Sequence, residues 1–184
     1  MIITHTAKTI LLIEILKDIQ RKNEKVIVFA EYIHTQDILA SIIDKEFGIK
    51  PQIYNGSTNI YARESMLKRF KSFPGFNVII MSPIAAGVGL TIIEANHVIH
   101  FSRHWNSAKE DQATDRVYRI GQNKTVYVYN LIGKIPNMTT FDEKLDNLLN
   151  MKQSVKELLC SLLQDLKLMH QHSWILLGVE YWES

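Results

Sequence analysis

The sequence has a single cysteine, almost no net charge and no long hydrophobic run. The lone cysteine, Cys160, excludes an internal disulfide and makes a reducing compartment the default expectation. A formal net charge of +2 does not indicate nucleic-acid binding by itself, so any phosphate-binding surface must be a local patch. No apolar run approaches the roughly 20 residues of a membrane span. The N-terminus also lacks a signal-peptide pattern. We therefore expect no membrane partner.

The remaining composition is that of an ordinary globular protein. Hydrophobic residues make up 46% and charged residues 22% of the 184 residues, which is enough for a substantial core. The seven histidines have no metal-ligand spacing and no cysteines beside them, so we predict no metal site.

Short apolar segments alternate with amphipathic segments along most of the chain. Val26–Phe29 is a β-branched run without polar alternation, which is typical of a strand buried on both faces of a parallel sheet. Strands that alternate with helices in this way predict an α/β fold. The predicted strands are Lys25–Ala30, Gln52–Tyr54, Asn77–Met81, His97–Phe101 and Val126–Leu131. The predicted helices are Thr4–Asn23, His34–Phe47, Ile60–Phe70, Ala108–Gln122 and Phe141–Leu168.

The C-terminal part of the chain has a different pattern. Leucines keep helical spacing from Leu145 to Leu166, which predicts one long amphipathic helix or two shorter ones. Such a helix either packs on the sheet or extends towards a partner domain. The tail Trp174–Trp182 is a last strand, a partner-facing patch or a poorly ordered end. We therefore divide the chain into a sheet domain, residues 1–135, and a helical extension with an apolar tail, residues 136–184.

Three loops that follow predicted strands carry glycine, hydroxyl or aromatic residues. In a parallel sheet such loops meet at the carboxyl ends of the strands, where ligands gather. Their backbone N–H groups and hydroxyls suit phosphate oxygens, and glycine lets the backbone approach a ligand closely. Each loop taken alone is equally consistent with an ordinary turn. The three loops are Asn55–Thr58, Ser82–Thr91 and His104–Asn106.

The segment Ala108–Gln122 is predicted to form one helix that ends at a glycine. Ser107 is placed to cap its start, and Glu110 and Asp111 lie in the first turns, where carboxylates suit the positive end of a helix. Gly121 provides the stop signal.

Two arginines give this segment its chemical interest. On a helix, Gln112, Arg116 and Arg119 fall at i, i+4 and i+7 and project from one face. Two guanidiniums one turn apart form a fork that suits phosphate oxygens. The alternative is a solvated helix face on which Asp115 and Arg119 form an ordinary ion pair.

In their order along the chain, these segments resemble the second RecA-like lobe of Swi/Snf-type ATPases, the DNA translocases of helicase superfamily two. Lys25–Phe29 resembles the first conserved strand of that lobe. Tyr54–Thr58, Arg63 and Leu67–Phe70 together resemble its D-G-S-T … R … RF block. The resemblance extends from about Thr6 to Lys152 and implies a RecA-like parallel sheet with helices on both faces, followed by a helical extension.

Two further motifs carry the resemblance. Ser82–Leu90 with Val98–Asn106 resembles the fifth helicase motif and its W-N extension. Gln112–Gln122, which reads Q-A-T-D-R-V-Y-R-I-G-Q, resembles the sixth motif, Q-A-x-D-R-x-H-R-I-G-Q. The chain departs from the family pattern with Tyr118 in place of histidine, Thr91 in place of asparagine and Ser107 in place of proline.

The resemblance also implies a missing partner. The chain has no G-x-x-x-x-G-K-[ST] phosphate loop and no D-E-x-H motif, both of which belong to a first lobe. That first lobe would hold most of the ATP and Mg²⁺, in the same or another chain. The roles that the resemblance implies here are arginine fingers for Arg116 and Arg119, ATP binding for Gln112, Gly87 and Asp115, and DNA-backbone binding for Gly56, Ser57, Thr58, Gly89, Thr91 and Trp105.

Three functions are compatible with this resemblance. The first is the C-terminal lobe of a DNA-dependent ATPase that moves along double-stranded DNA and is inactive without its first lobe. The second is a stand-alone, non-catalytic module that binds DNA or a partner. The third, disfavoured by the R-I-G-Q and W-N features, is a lobe of an RNA helicase. Under the first, the expected location is intracellular, and cytoplasmic at the nucleoid if the protein is bacterial.

Overall fold

A computed structural model describes residues 6–84 and 90–176 of the chain. Strands and helices alternate in it as predicted, which confirms the α/β class. In chain order the elements are α1 (Ala7–Arg21), β1 (Lys25–Phe29), α2 (Ile33–Phe47), β2 (Gln52–Tyr54), α3 (Ile60–Ser72), β3 (Asn77–Met81), β4 (His97–His100), α4 (Ser107–Thr114), β5 (Tyr127–Asn130) and α5 (Phe141–Leu176). The chain forms two compact units, Met1–Leu145 and Asp146–Ser184, and the sheet belongs to the first.

The strands form one parallel sheet in the order β2-β3-β1-β4-β5. The central strand β1 pairs with β3 on one side and with β4 on the other. Because every pairing is parallel, all strands end on the same side of the sheet. We call the side with Phe29, Tyr54, Met81, His100 and Asn130 the carboxyl end of the sheet, and the side with Lys25, Gln52, Asn77, His97 and Tyr127 the amino end.

The sheet is buried on both faces. Along β1, Val26 and Val28 contribute to one apolar core, and Ile27 and Phe29 contribute to the other. Residues of α1 and α2 complete the first core, and residues of α3 and α4 complete the second. Full burial of an aliphatic side chain of this size contributes about 1.5–3 kcal/mol relative to exposure. Burial on both faces explains why these strands lack polar alternation.

Helix ends follow local sequence signals in α1, α2 and α5. The Thr6 hydroxyl accepts a hydrogen bond from the N–H of Thr9 at 3.3 Å and caps α1. The helix α2 ends at Phe47, as predicted, because the next residue, Gly48, has a φ of 64°. At the start of α5, the N–H of Glu143 donates to Thr140 Oγ1 at 3.1 Å and the N–H of Thr140 donates to Glu143 Oε2 at 2.9 Å. This reciprocal pair is a capping box.

The start of α4 differs by one residue from the prediction. Asn106, rather than Ser107, is the cap, and its Oδ1 accepts from the N–H of Ala108 at 3.1 Å. Ser107 is instead the first residue of the helix. Asparagine is as good a cap as serine, so the local sequence allowed either residue to take the position.

The prediction that Ala108–Gln122 is one helix is wrong in its C-terminal half, because α4 ends at Thr114. Beyond it, the carbonyl of Arg116 accepts from the N–H of Ile92 at 2.9 Å. In a continuing helix that carbonyl would accept from the N–H four residues later. A contact with a distant segment therefore replaces the helical bond. Arg116 and Arg119 lie on a chain of turns, not on a helix face.

The helix predicted at Phe141–Leu168 extends further, to Leu176. The remainder of the tail, residues 177–184, lies outside the described residues, so the three alternatives for Trp174–Trp182 stay open there. The domain boundary between residues 135 and 136 also stays a prediction. Within the described ranges, no helix is long and apolar enough to cross a membrane.

Candidate nucleotide and nucleic-acid site

Backbone hydrogen bonds join the strand exits at the carboxyl end of the sheet. The N–H of Ser82, directly after β3, donates to the carbonyl of Tyr54 at 3.0 Å. The N–H of Ala30, directly after β1, donates to the carbonyl of Met81 at 3.0 Å. These bonds extend the sheet by one residue beyond β1 and β3, so the loops there start from fixed positions.

Asn55 holds the loop after β2 from within. Its Oδ1 accepts from the N–H of Ser57 at 3.1 Å and from the Ser57 hydroxyl at 2.6 Å. The N–H of Asn55 donates to Thr58 Oγ1 at 3.2 Å. Its Nδ2 donates to Gln36 Oε1 at 2.8 Å, and Gln36 Nε2 donates to the carbonyl of Ala30 at 2.7 Å. The two hydroxyls therefore shape the loop, and the buried Asn55–Gln36 pair anchors it to α2.

Gly56 lies at the tip of this loop and is exposed. A Cβ built on Gly56 would meet no atom within 4 Å, and its φ lies outside the left-handed region. The carbonyl of Gly56 accepts from Arg63 Nη2 at 3.2 Å, which fixes the loop against α3. The contacts within the described ranges, 6–84 and 90–176, thus give no reason for a glycine at this position.

Arg119 and Thr91, predicted for different roles, are in direct contact. Arg119 Nη1 donates to Thr91 Oγ1 at 2.7 Å. Lys71 Nζ donates to the carbonyl of Thr91 at 2.6 Å and so holds Thr91 from the side of α3. The alternative ion pair between Arg119 and Asp115 is not formed in the described part of the chain.

Gln122 fixes the end of the arginine segment. Its Nε2 donates to the carbonyl of Ile93 at 3.0 Å and to the carbonyl of Ala95 at 2.8 Å. Gly121 has a φ of 102°, a conformation that suits glycine, and a Cβ there would lie 3.2 Å from Ile93 Cδ1. The I-G-Q end of the motif therefore clamps residues 116–122 to residues 91–95.

The other residues predicted to bind the nucleotide differ in their exposure. Arg116 is half-buried, whereas Gln112 and Asp115 are exposed. Gly87, like Gly89 of the predicted DNA-binding set, lies outside the described residues. The roles assigned to these residues from the sequence therefore stay predictions.

Trp105 is the most prominent apolar side chain in the loop after β4, with 61% of its surface exposed. It lies between the buried residue His104 and the helix cap Asn106. Other large side chains near strand exits are also exposed, among them Tyr32 after β1 and Tyr61 at the start of α3. Tryptophan and tyrosine are enriched at interfaces, and binding residues are often carried on loops that a rigid scaffold positions.

His100, the last residue of β4, is a buried base below this loop. Burial, helped by the nearby positive charge of Arg103, lowers its pKa to about 4. The ring stacks on Phe29 with centroids 5.3 Å apart, and its Nε2 lies 3.0 Å from Thr114 Oγ1. His100 is therefore neutral at physiological pH and joins β4 to the end of α4.

Several residues that shape the site were not predicted from the sequence. They act through contacts far apart in the chain, which periodicity does not reveal. Gln122 belongs to the sixth motif, so a search for amide donors there would have found it. Glu110 had only the signal of a helix N-terminus, and the others had no local signal. These residues are Gln36, Lys71, Arg103, Glu110 and Gln122. Among the described residues, no group of three or more His, Cys, Asp or Glu could hold a metal ion.

Comparison with known proteins agrees with this geometry. Residues 7–121 match the family described as "Helicase conserved C-terminal domain". The chain is 45% identical over 157 residues to Zorya protein ZorD of Escherichia coli O139:H28, covering 82% of the chain and 14% of that relative. It is 38% identical over 148 residues to the putative ATP-dependent helicase/translocase YwqA of Bacillus subtilis, covering 79% of the chain and 15% of that relative.

Comparison with a solved structure indicates the same kind of protein as the sequence relatives do. The Sulfolobus solfataricus SWI2/SNF2 ATPase core in complex with dsDNA is 34% identical, with a TM-score of 0.68 over 83% of this chain and 31% of that one. The chain therefore belongs to the helicase C-terminal domain family and, within it, to the C-terminal RecA-like lobes of the Swi2/Snf2 ATPases. It spans only about one-seventh of the length of ZorD and YwqA, at 14% and 15%.

Proposed function

We propose that the chain is the second ATPase lobe of a DNA translocase inside the cell, and that it hydrolyses ATP only together with a first lobe. The observation that carries this proposal is the anchored arginine segment. Arg119 is bonded to Thr91, the backbone of Arg116 is bonded to Ile92, and Gln122 clamps the end. Catalysis by charge stabilisation needs donors whose positions are fixed before the reaction, and this segment meets that requirement.

Arg116 and Arg119 are the proposed arginine fingers. Their guanidiniums would stabilise the negative charge that develops on the transferring phosphoryl group of ATP. Removal of such a finger lowers the rate of turnover by about 10³–10⁵-fold. Gln112, Asp115 and Gly87 are proposed to contact the nucleotide beside them.

The proposed DNA contacts lie on loops. Gly56 supports this role because nothing among the residues that the structure describes requires a glycine there, whereas a ligand backbone that approaches closely would. The exposed indole of Trp105 supports it as well. Ser57, Thr58, Thr91 and Gly89 complete the proposed set. Contacts to the phosphate backbone position a duplex without reading its sequence, as a translocase requires.

The first lobe is an inferred partner. ZorD and YwqA are about seven times longer than the matched segment, which leaves room in such proteins for a first lobe. Mg²⁺ would neutralise charge on the ATP phosphates. The described residues of this lobe contain no acidic cluster that could hold the ion, so we assign its ligands to the first lobe.

One observation favours a second candidate, a non-catalytic module that binds DNA or a partner. The guanidinium of Arg119 already has a side-chain partner in Thr91, which is the contact expected of an arginine that only fastens residues 91–95. In that case neither arginine would matter for turnover, although both would matter for stability.

ATP turnover by a two-lobe protein separates these candidates. The chain would be joined to a first lobe, either from its own gene or from the Sulfolobus relative, and assayed with and without duplex DNA. We expect duplex DNA to stimulate turnover. We expect Arg116→Ala and Arg119→Ala each to lower turnover at least about 10³-fold, because each removes a positive charge from the transition state.

Arg21→Ala is the matched control, since Arg21 is an exposed arginine in the last turn of α1, outside the proposed site and outside the motifs that carry the family resemblance. It should leave turnover unchanged. The chain alone should show no turnover. Activity of the isolated chain, or full activity of both arginine variants, would contradict the proposal and favour the binding module.

A further inference from the structure

A buried ion pair joins the loop after β4 to the first turn of α4. Arg103 Nε lies 3.1 Å from Glu110 Oε1 and 3.0 Å from Glu110 Oε2. The side chains are only 9% and 8% exposed. Glu110 was expected to sit near the positive end of the helix, but its carboxylate is directed to a partner seven residues back in the chain. The pair therefore closes the loop between them.

Glu110 also holds the backbone of this loop. Its Oε1 accepts a short hydrogen bond from the N–H of His104. The buried His104 ring continues the network, because its Nδ1 accepts from the N–H of Asn106 at 3.0 Å. Asn106 in turn caps α4. The residues on both sides of Trp105 are thus fixed by side chains, while the indole itself is exposed.

A buried ion pair usually adds little net stability to a fold. The cost of removing both charges from water offsets much of their attraction, and apolar replacements of similar volume are often neutral or stabilising. Such a pair is more readily explained by the geometry that it imposes. Here the pair fixes the loop that carries the exposed side chain of Trp105.

We infer that Arg103 and Glu110 are positioning residues that hold the Trp105 indole in the orientation in which it meets duplex DNA. The inference rests on the proposed DNA-binding function of Trp105. Neither residue need touch DNA itself, because both are buried. Their effect on binding would pass entirely through the loop that carries Trp105.

The first measurement is the mobility of the indole. In the full chain, Trp174→Phe and Trp182→Phe leave Trp105 as the only tryptophan. Time-resolved anisotropy and acrylamide quenching then report on this side chain alone. We expect Glu110→Ala to add a fast component to the anisotropy decay. Glu110→Gln should give an intermediate result, because an amide oxygen can still accept from the N–H of His104.

The second measurement is a double-mutant cycle on binding of a fluorescein-labelled duplex of mixed sequence. Trp105→Ala should weaken binding about tenfold, because tryptophan anchors supply much of the binding energy at many interfaces. Glu110→Ala should weaken it by a similar factor. In the Trp105→Ala background, Glu110→Ala should cost less than about twofold, since residues that act through one contact are not additive.

Glu64→Ala, at an exposed glutamate of α3, is the matched control and should change neither measurement. Circular dichroism melts establish that each variant is folded. If Glu110→Ala does not fold, Glu110→Gln and Arg103→Lys carry the test, because both keep a polar side chain at the buried position.

The outcomes are distinct. Additive losses in the cycle, or wild-type anisotropy and DNA affinity in both Glu110→Gln and Arg103→Lys, would overturn the inference. If Trp105→Ala leaves DNA binding unchanged while Glu110→Ala still frees the indole, the proposed DNA contact of Trp105 is overturned and the structural link to Glu110 is confirmed.

Discussion

The amino end of the sheet and the candidate site both contain networks of polar side chains, but the two networks differ in what they leave exposed. At the amino end, His97 is fully buried, with Nε2 2.7 Å from Glu24 Oε2 and Nδ1 3.2 Å from the Tyr129 hydroxyl. Lys124 pairs with the other oxygen of Glu24 at 3.1 Å. The carboxylate of Glu24 therefore finds its partners, His97 and Lys124, inside the cluster. The candidate site instead holds loops in place while Gly56 and Trp105 are exposed.

The comparison shows that shifted pKa values do not locate the site in this protein. Hydrogen bonds from Asn96, His97 and Lys124 outweigh the effect of burial and lower the pKa of Glu24 to about 2. The pKa of His97 is lowered too, but there the cause is burial itself. Such shifts often mark catalytic groups, but structural ion pairs produce them too. The proposed chemistry relies on arginines, which stay charged and need no tuning.

The largest effect that we expect on stability comes from His100. Its pKa is about 4 in the folded chain and about 6.5 in the unfolded chain, so the folded state binds fewer protons between these values. The contribution of His100 is complete above pH 6.5 and is lost as the pH falls towards 4. It amounts to about 3 kcal/mol.

His100→Gln should remove this part of the pH dependence. Urea denaturation at a series of pH values would show a flatter curve for the variant between pH 6.5 and 4. His34→Gln, at an exposed histidine in the first turn of α2, is the control. Equal pH dependence in wild type and His100→Gln would show that His100 is not held neutral by burial.

Much of the fold was predictable because strands and several caps are encoded locally. The strand predicted from the apolar run Val26–Phe29 and the helix end predicted at Phe47 are both confirmed. The end of α4 at Thr114 was not predictable in this way, since it depends on the bond from Ile92 to Arg116. Sequence periodicity describes neighbours within a turn or two and cannot represent such a bond.

The same limit applies to the site. Motif resemblance selected Thr91 and Arg119 as separate site residues, but their hydrogen bond spans 28 positions of the chain. The pairing of Arg103 with Glu110 was missed for a different reason. Glu110 satisfied a local rule for helix N-termini, and that rule hid its tertiary partner.

We expect Gly121 to serve the fold and Gly56 to serve DNA binding. Gly121→Ala should destabilise the chain by about 1–2 kcal/mol, because an L side chain is strained at a positive φ and would press on Ile93 Cδ1. Gly56→Ala should change stability by less than about 0.5 kcal/mol but should weaken duplex binding. Urea denaturation and DNA titration of both variants measure the two effects. A loss of stability in Gly56→Ala equal to that in Gly121→Ala would show that Gly56 serves the fold.

The most direct test compares one residue from each region in the same two assays. Arg119→Ala should abolish DNA-stimulated ATP turnover of the joined two-lobe protein while changing the unfolding free energy of the chain little, because Arg119 is exposed. Glu24→Ala should lower the unfolding free energy by about 2 kcal/mol, the usual worth of a hydrogen bond to a charged group, and should leave turnover at the wild-type level. The opposite pattern, with turnover lost in Glu24→Ala and kept in Arg119→Ala, would contradict the division between a structural amino end and a functional arginine segment.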